Sequence, residues 1–176
     1  MSPIPVRESL KTLIGEGLVD HEPRGGYRVA RVTQDELREF YVIRKVLEAA
    51  ALRAAVTRAT TDDDARATAI HDGLGQALAD DDHRLYHRDS RRFHLALLAP
   101  SGMHRVLHMF ELAWNVTEPA QPMSSVTDAG RRQMHADHEA MLAAFRARDA
   151  EDLVTRSDAH YRRLERAVEL PDHGWH

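Results

Sequence analysis

The feature that most limits the possible folds of this chain is a pair of amphipathic segments near its C-terminus. The first segment has an apolar stripe at helical spacing, formed by Met134, His138, Met141 and Phe145. The second has a similar stripe, formed by Leu153, Ser157, His160, Leu164 and Val168. Asp149 lies eleven residues from His138 and eleven from His160. Because an α-helix rises about 1.5 Å per residue, an antiparallel hairpin would place both imidazoles roughly 16 Å from this turn, at equal height.

Two histidines that face each other inside a helical hairpin have two interpretations. Imidazoles on facing bundle helices are typical of a metal or ligand site. The chain has twelve histidines, however, so some fall on apolar faces by chance. A hydrogen-bonded core histidine is the more common case, and the spacing alone leaves both interpretations open.

Composition excludes several classes of protein. The 176 residues contain no cysteine, which excludes disulfides and thiolate metal ligands. The longest apolar runs are too short to span a bilayer, and no apolar signal segment follows Met1. We therefore expect a soluble, cytoplasmic protein with one main domain. The formal net charge is −4, but residues 1–33 carry five basic and four acidic side chains, which allows a small basic module beside an acidic domain.

The N-terminal residues predict one helix followed by a β-hairpin. Ser2 is suited to the N-cap position and Pro3 to the first helical position. The segment "LVDHEPRGGYRVARV" then alternates around "PRGG", a turn whose glycines can take positive φ. One helix and one hairpin cannot bury a core alone. This unit, residues 1–32, therefore needs further protein to pack against.

The stretch "SPIPVRESLKTLIGEGLVDHEPRGGYRV" resembles the second half of the winged helix-turn-helix of GntR-family transcription regulators. The resemblance makes "SPIPVRESL" the recognition helix and "PRGGYRV" the wing. It implies contacts to operator DNA from Ser2, Pro5, Arg7, Arg24 and Gly25. In that family the motif begins thirty to forty residues earlier, so we expect residues 1–176 alone to bind an operator weakly.

Six helices with short connections are predicted after the wing, the first opened by a capping box at Thr33 and Glu36. The predicted fold class is therefore mainly α: an antiparallel all-α bundle over residues 33–170, with a flexible tail at 171–176. The segments "RRFHLALLAPSG", "HEAMLAAFRARDAEDL" and "SDAHYRRL" resemble, in order and spacing, the FCD ligand-binding domain of FadR-like GntR regulators. With the wing, this resemblance covers nearly the whole chain.

The FCD resemblance implies a divalent metal site built from one aspartate and three histidines. The three histidines are His94, His138 and His160, but the aspartate position holds Ser90. Asp89 is five residues before His94, about 140° around the helix, and would need a local bulge or a bridging water to contribute. Zn²⁺ or Ni²⁺ would suit three neutral histidines with an open position filled by water. We expect the three ring nitrogens to lie within about 4–5 Å of one another.

The same resemblance implies a small carboxylate effector beside the metal and a homodimeric regulator. Arg44 is the predicted effector-binding cation, with Asn115 as a second contact. Arg44 also has a simpler interpretation, an ion pair with Glu48 one turn later on the same helix.

Two other functions compete with a metabolite-responsive DNA-binding regulator. One is a regulatory protein that binds effector but no longer binds DNA. The other is a metal-dependent hydrolase, yet "HADHE" lacks the order of ligands and base that helical metalloproteases use. We therefore predict that the protein is not an enzyme.

Overall fold

Seven α-helices and one β-hairpin contain most of the residues that the computed structural model describes, 3–120 and 126–168. The elements in chain order are α1 (Pro3–Gly15), β1 (Val19–Glu22), β2 (Gly26–Val29), α2 (Gln34–Val56), α3 (Thr61–Ala79), α4 (His83–Leu98), α5 (His104–Thr117), α6 (Asp128–Arg146) and α7 (Ala150–Ala167). Short 3-10 turns follow α4 and α5. This order confirms the predicted all-α bundle with a helix and hairpin before it.

The β-hairpin pairs β1 with β2 in antiparallel register, with Val19 opposite Val29 and Glu22 opposite Gly26. The turn takes positive φ at Gly26, where glycine carries no steric penalty. Arg24 also takes positive φ, at 74°, which the sequence did not predict for a residue with a side chain. Most of the hairpin residues are exposed.

Side-chain caps define where the long helices begin. Thr33 and Glu36 form the predicted capping box at α2, in which each side chain accepts a hydrogen bond from the other residue's backbone N–H. The turn between α6 and α7 is as short as predicted, and the Asp149 carboxylate accepts from the Asp152 backbone N–H to start α7. These caps fix the helix starts and so the direction of each side-chain stripe.

The six helices α2–α7 enclose one interior. Helix α2 packs against α4, α5 and α7, α3 packs against α4 and α6, and α6 packs against α7. In the parts of the chain that the structure describes, no helix is long and apolar enough to cross a membrane.

A buried layer of polar side chains divides the interior into two apolar clusters. The smaller cluster includes Leu37, Tyr41, Met134, Tyr161 and Leu164. The larger one includes Leu52, Phe93, Met141, Phe145 and Leu153. Between them lies the set that we call the polar layer: Arg44, Glu48, His94, His138 and His160, each at most 3% exposed. Burying so many polar groups is costly unless they are paired or serve a function.

Candidate metal and effector site

The three predicted histidines converge at the centre of the bundle from three different helices. His94 is on α4, His138 on α6 and His160 on α7. The His138 and His160 rings are 4.7 Å apart between centroids, and the His94 ring is 5.2 and 5.3 Å from them. Each residue offers a ring nitrogen, and these atoms lie within 4.8 Å of one another. This geometry suits three ligands to one ion.

The protonation of the site also suits a metal. Burial lowers the pKa of His138 well below its usual value, and the neighbouring His160 and His94 lower it further. Burial lowers the pKa of His160 as well, although the nearby Asp137 opposes the change. Both rings are therefore neutral near pH 7, and a neutral imidazole is the form that binds a cation.

His138 has the least support from other protein groups. Neither of its ring nitrogens has a hydrogen-bond partner among the described residues. Buried polar groups are nearly always paired, so an imidazole with two free nitrogens needs an explanation. A bound ion would give one of those nitrogens a partner, so the residues present fit a metal.

Asp89 does not take the place of the aspartate that the FCD resemblance implies at position 90. One oxygen of the Asp89 carboxylate accepts hydrogen bonds from Arg88 and Arg92, at 3.2 and 3.0 Å. The other faces Gly73 on α3. Ser90 instead lines the cavity beside the histidines. The helix turns the Asp89 side chain toward α3, so a role of Asp89 through a bridging water stays a prediction, whereas the Ser90 side chain faces the cavity.

Arg44 enters the same cavity from α2 and is 3% exposed. Its guanidinium carbon lies 3.4 Å from the centroid of the Trp114 ring, a close cation–π stack. Its Nε has no hydrogen-bond partner among the described residues. The simple ion pair with Glu48 does not form, because the Glu48 oxygens contact His94 and Tyr161 instead.

The cavity around the histidines has a volume of about 20 Å³. That space holds one water molecule or one ion. Outside the polar layer, its polar lining includes His87, Ser90, Thr117 and Glu118. Asn115 is half-buried on α5 and does not line this cavity, so its contact with the effector stays a prediction. The adjacent Trp114 does line the cavity, because one residue is a 100° turn of the helix.

Two carboxylates behind the histidines were not predicted. Glu48 Oε1 lies 2.8 Å from His94 Nδ1, and Asp137 Oδ2 lies 3.5 Å from His160 Nδ1. Glu48 lies on the same helix stripe as Arg44, and this was the only feature of the sequence that indicated a buried position for Glu48. Asp137 directly precedes His138 in the sequence, yet its carboxylate lies beside His160.

The predicted DNA contacts lie on a separate exposed surface. Pro5 and Arg7 are exposed on α1, and Arg24 and Gly25 are exposed at the hairpin turn. Glu8, which follows Arg7 on the same helix, pairs with Lys11 at 2.9 Å. Ser2 lies outside the described residues.

Comparison with known proteins gives consistent matches. Residues 39–163 match the model of the FCD domain. The chain is 25% identical over 152 residues to the uncharacterized HTH-type transcriptional regulator BphR of Paraburkholderia xenovorans, and it spans 62% of that protein's length. It is 30% identical over 153 residues to the HTH-type transcriptional repressor GlaR of Escherichia coli, covering 82% of this chain and 70% of GlaR.

A solved structure agrees with these sequence matches. The structure of E. coli McbR/YncC superposes with a TM-score of 0.84 at 27% identity, covering 92% of this chain and 77% of that one. The matched proteins are named as transcription regulators, which supports the prediction that the chain is not an enzyme.

Proposed function

Since the chain belongs to the FCD-domain family of GntR-type transcriptional regulators, we propose that it is a cytoplasmic, homodimeric regulator whose operator binding responds to a small anionic metabolite. The metabolite binds the helical domain beside a divalent metal, Zn²⁺ or Ni²⁺, held by His94, His138 and His160. The observation that carries this proposal is the convergence of three buried histidines on a cavity that also contains a buried arginine.

The metal part of the proposal rests on ligand chemistry. Imidazole nitrogen suits Zn²⁺ and Ni²⁺, and three protein ligands leave open positions. A divalent ion supplies positive charge to which a carboxylate oxygen or water can bind. The three histidines are buried, and Ser90 contributes a hydroxyl to the lining of the cavity.

Calorimetric titration of metal-free protein with ZnCl₂ and NiCl₂ tests the metal site. We expect one ion per chain for the wild type, and no binding for His138→Ala or His160→Ala. His135→Ala is a matched control, because His135 is on the same helix as His138 but its ring stacks on His71, at 4.5 Å, instead of joining the cluster. Unchanged binding in His138→Ala would refute the site.

The effector part rests on Arg44. A buried guanidinium with an unpaired Nε favours an anionic ligand, since a carboxylate could accept charge-assisted hydrogen bonds from it. In thermal-shift assays with acetate and succinate, we expect a rise in melting temperature for the wild type that Arg44→Ala loses. Arg53→Ala is the control, because Arg53 is on the same helix but pairs with Glu151 at the surface. Equal rises in the wild type and Arg44→Ala would remove Arg44 from the effector site.

The DNA part rests on the exposed helix α1 and the hairpin. A helix in the major groove with a wing over the adjacent groove is how winged helices contact DNA. Selection from a random DNA library, followed by mobility shifts, should recover a palindromic site if two chains bind together. Arg7→Ala should then weaken binding to that site by about 1–3 kcal/mol if Arg7 contacts a guanine. A chain that binds metal and carboxylates but selects no DNA sequence would instead be a regulator without DNA binding.

A further inference from the structure

Glu48 holds two polar side chains from two other helices at the edge of the candidate metal site. Its Oε1 lies 2.8 Å from His94 Nδ1 on α4, and its Oε2 accepts a hydrogen bond from the Tyr161 hydroxyl on α7 at 2.6 Å. The side chain is fully buried. Both of its oxygens are therefore occupied by neighbours that can donate.

The contact with Glu48 determines which nitrogen of His94 carries the proton. The Tyr161 hydroxyl donates the hydrogen of its bond to Glu48 Oε2. A carboxylate can only accept hydrogen bonds. At 2.8 Å from Glu48 Oε1, His94 Nδ1 must then carry hydrogen, which leaves Nε2 as the ring nitrogen with a free lone pair.

The three histidines differ in how firmly carboxylates hold them. Asp137 Oδ2 lies 3.5 Å from His160 Nδ1, but this nitrogen makes no hydrogen bond among the described residues, and the main partner of Asp137 is Arg163 at 2.8 Å. His138 has no partner at either nitrogen among the described residues. The order of support is therefore His94, then His160, then His138.

We propose that Glu48 is a positioning residue of the metal site: it fixes His94 as the Nδ1–H tautomer and presents Nε2 to the ion. This inference rests on the proposed metal site, and it assigns Glu48 no direct bond to the ion. Metal-binding histidines commonly donate their second N–H to a carboxylate, which orients the ring and raises its basicity. Glu48 supplies that carboxylate from α2, a helix that contributes no ligand.

The competing interpretation is that Glu48 only ties helices together. Tyr161→Phe separates the two roles, because it removes the α2–α7 hydrogen bond and leaves the contact with His94. Glu48→Gln keeps the size of the side chain but removes its charge, and Glu48→Met removes both hydrogen bonds. Should Glu48→Met not fold, Glu48→Gln and Tyr161→Phe still form a complete comparison.

The first measurement needs no metal. Long-range ¹H–¹⁵N spectra of metal-free protein with ¹⁵N-labelled histidine report which ring nitrogen is protonated, and His94→Asn identifies the His94 signals. We expect the Nδ1–H form in the wild type and in Tyr161→Phe, and a mixture of forms in Glu48→Met. An Nε2–H form in the wild type would overturn the proposal, whether or not the protein binds metal.

The second measurement is the dissociation constant for Zn²⁺. Loss of such a supporting carboxylate typically weakens metal binding by about 10–100-fold. We therefore expect the dissociation constant of Glu48→Gln to rise by that factor. Tyr161→Phe should stay within about 3-fold of the wild type. Equal weakening in both variants would show that Glu48 acts only through helix packing. A wild type that binds no Zn²⁺ or Ni²⁺ would refute the metal site itself, which the tautomer measurement distinguishes from failure of the role of Glu48.

Discussion

Replacing His138 by leucine should stabilise the metal-free protein while abolishing its response to metal. His138 is 1% exposed, and both of its ring nitrogens lack a partner among the described residues. Leaving a buried polar group unpaired costs about 1–3 kcal/mol. His138→Leu removes two such groups, about 4 kcal/mol together, and imperfect packing of the new side chain returns up to about 1.5 kcal/mol.

The expected net gain is at least about 2.5 kcal/mol, which for a chain of this length corresponds to a rise of about 5–10 °C in melting temperature. Zinc at about 100 times its dissociation constant should add about 2.7 kcal/mol to the wild type and nothing to the variant. With zinc bound, the free energy of unfolding of the wild type should therefore equal or slightly exceed that of His138→Leu at this minimum gain. A substitution that removes a metal ligand and raises stability indicates that the original side chain is retained for function and not for stability.

Urea and thermal unfolding of chelator-treated protein, with and without ZnCl₂, measure all four free energies of unfolding. His108→Leu is the control, since His108 is exposed on α5 and its replacement should change stability by less than about 0.5 kcal/mol. If metal-free His138→Leu is less stable than the metal-free wild type, the imidazole is a well-satisfied core residue. The interpretation of His138 as a hydrogen-bonded core histidine would then hold.

The site and the helix caps support four further predictions. Ser90→Asp should lower the dissociation constant for Zn²⁺ in calorimetry, because it adds an anionic ligand beside three imidazoles. In a Trp175→Phe background, succinate should change the fluorescence of Trp114, because an anion that reaches Arg44 must disturb the stack between them. Thr33→Ala should lower the free energy of unfolding by about 1 kcal/mol at pH 7 in urea titrations. The backbone N–H and hydroxyl of Thr33 lower the pKa of Glu36, so its carboxylate stabilises the fold above about pH 4.5, and the difference between wild type and Glu36→Gln should vanish as the pH falls below that.

Local periodicity was enough to predict that two of the three histidines face each other. His138 and His160 lie on stripes of two consecutive helices, and the short turn at Asp149 allows only one arrangement of them. His94 could not be placed in this way, because no spacing within α4 shows which helices it packs against. The FCD resemblance placed it correctly beside the other two.

The residues that were missed or misplaced depend on contacts distant in sequence. Glu48 is one turn from Arg44, so an ion pair between them was the natural local prediction. In the fold its carboxylate meets His94, 46 residues away. Asn115 lies outside the cavity for a related reason: a rotation of about one residue decides which side chain of a helix faces the interior, and composition alone does not fix that rotation.

The small cavity beneath the stack of Arg44 and Trp114 affects the order in which ligands can bind. An ion fits the space as it stands, whereas a carboxylate metabolite requires an open population in which Trp114 has left Arg44. The apparent affinity for the metabolite is then reduced by the fraction of molecules that are open, and its association rate levels off at the rate of opening.

Trp114 and Val116 share the last turn of α5. Gly17, between α1 and the hairpin, lies so near Val116 that a Cβ added there would be 3.9 Å from it. Under the proposed function, a metabolite that shifts this turn would therefore move the neighbour of the segment that carries the wing.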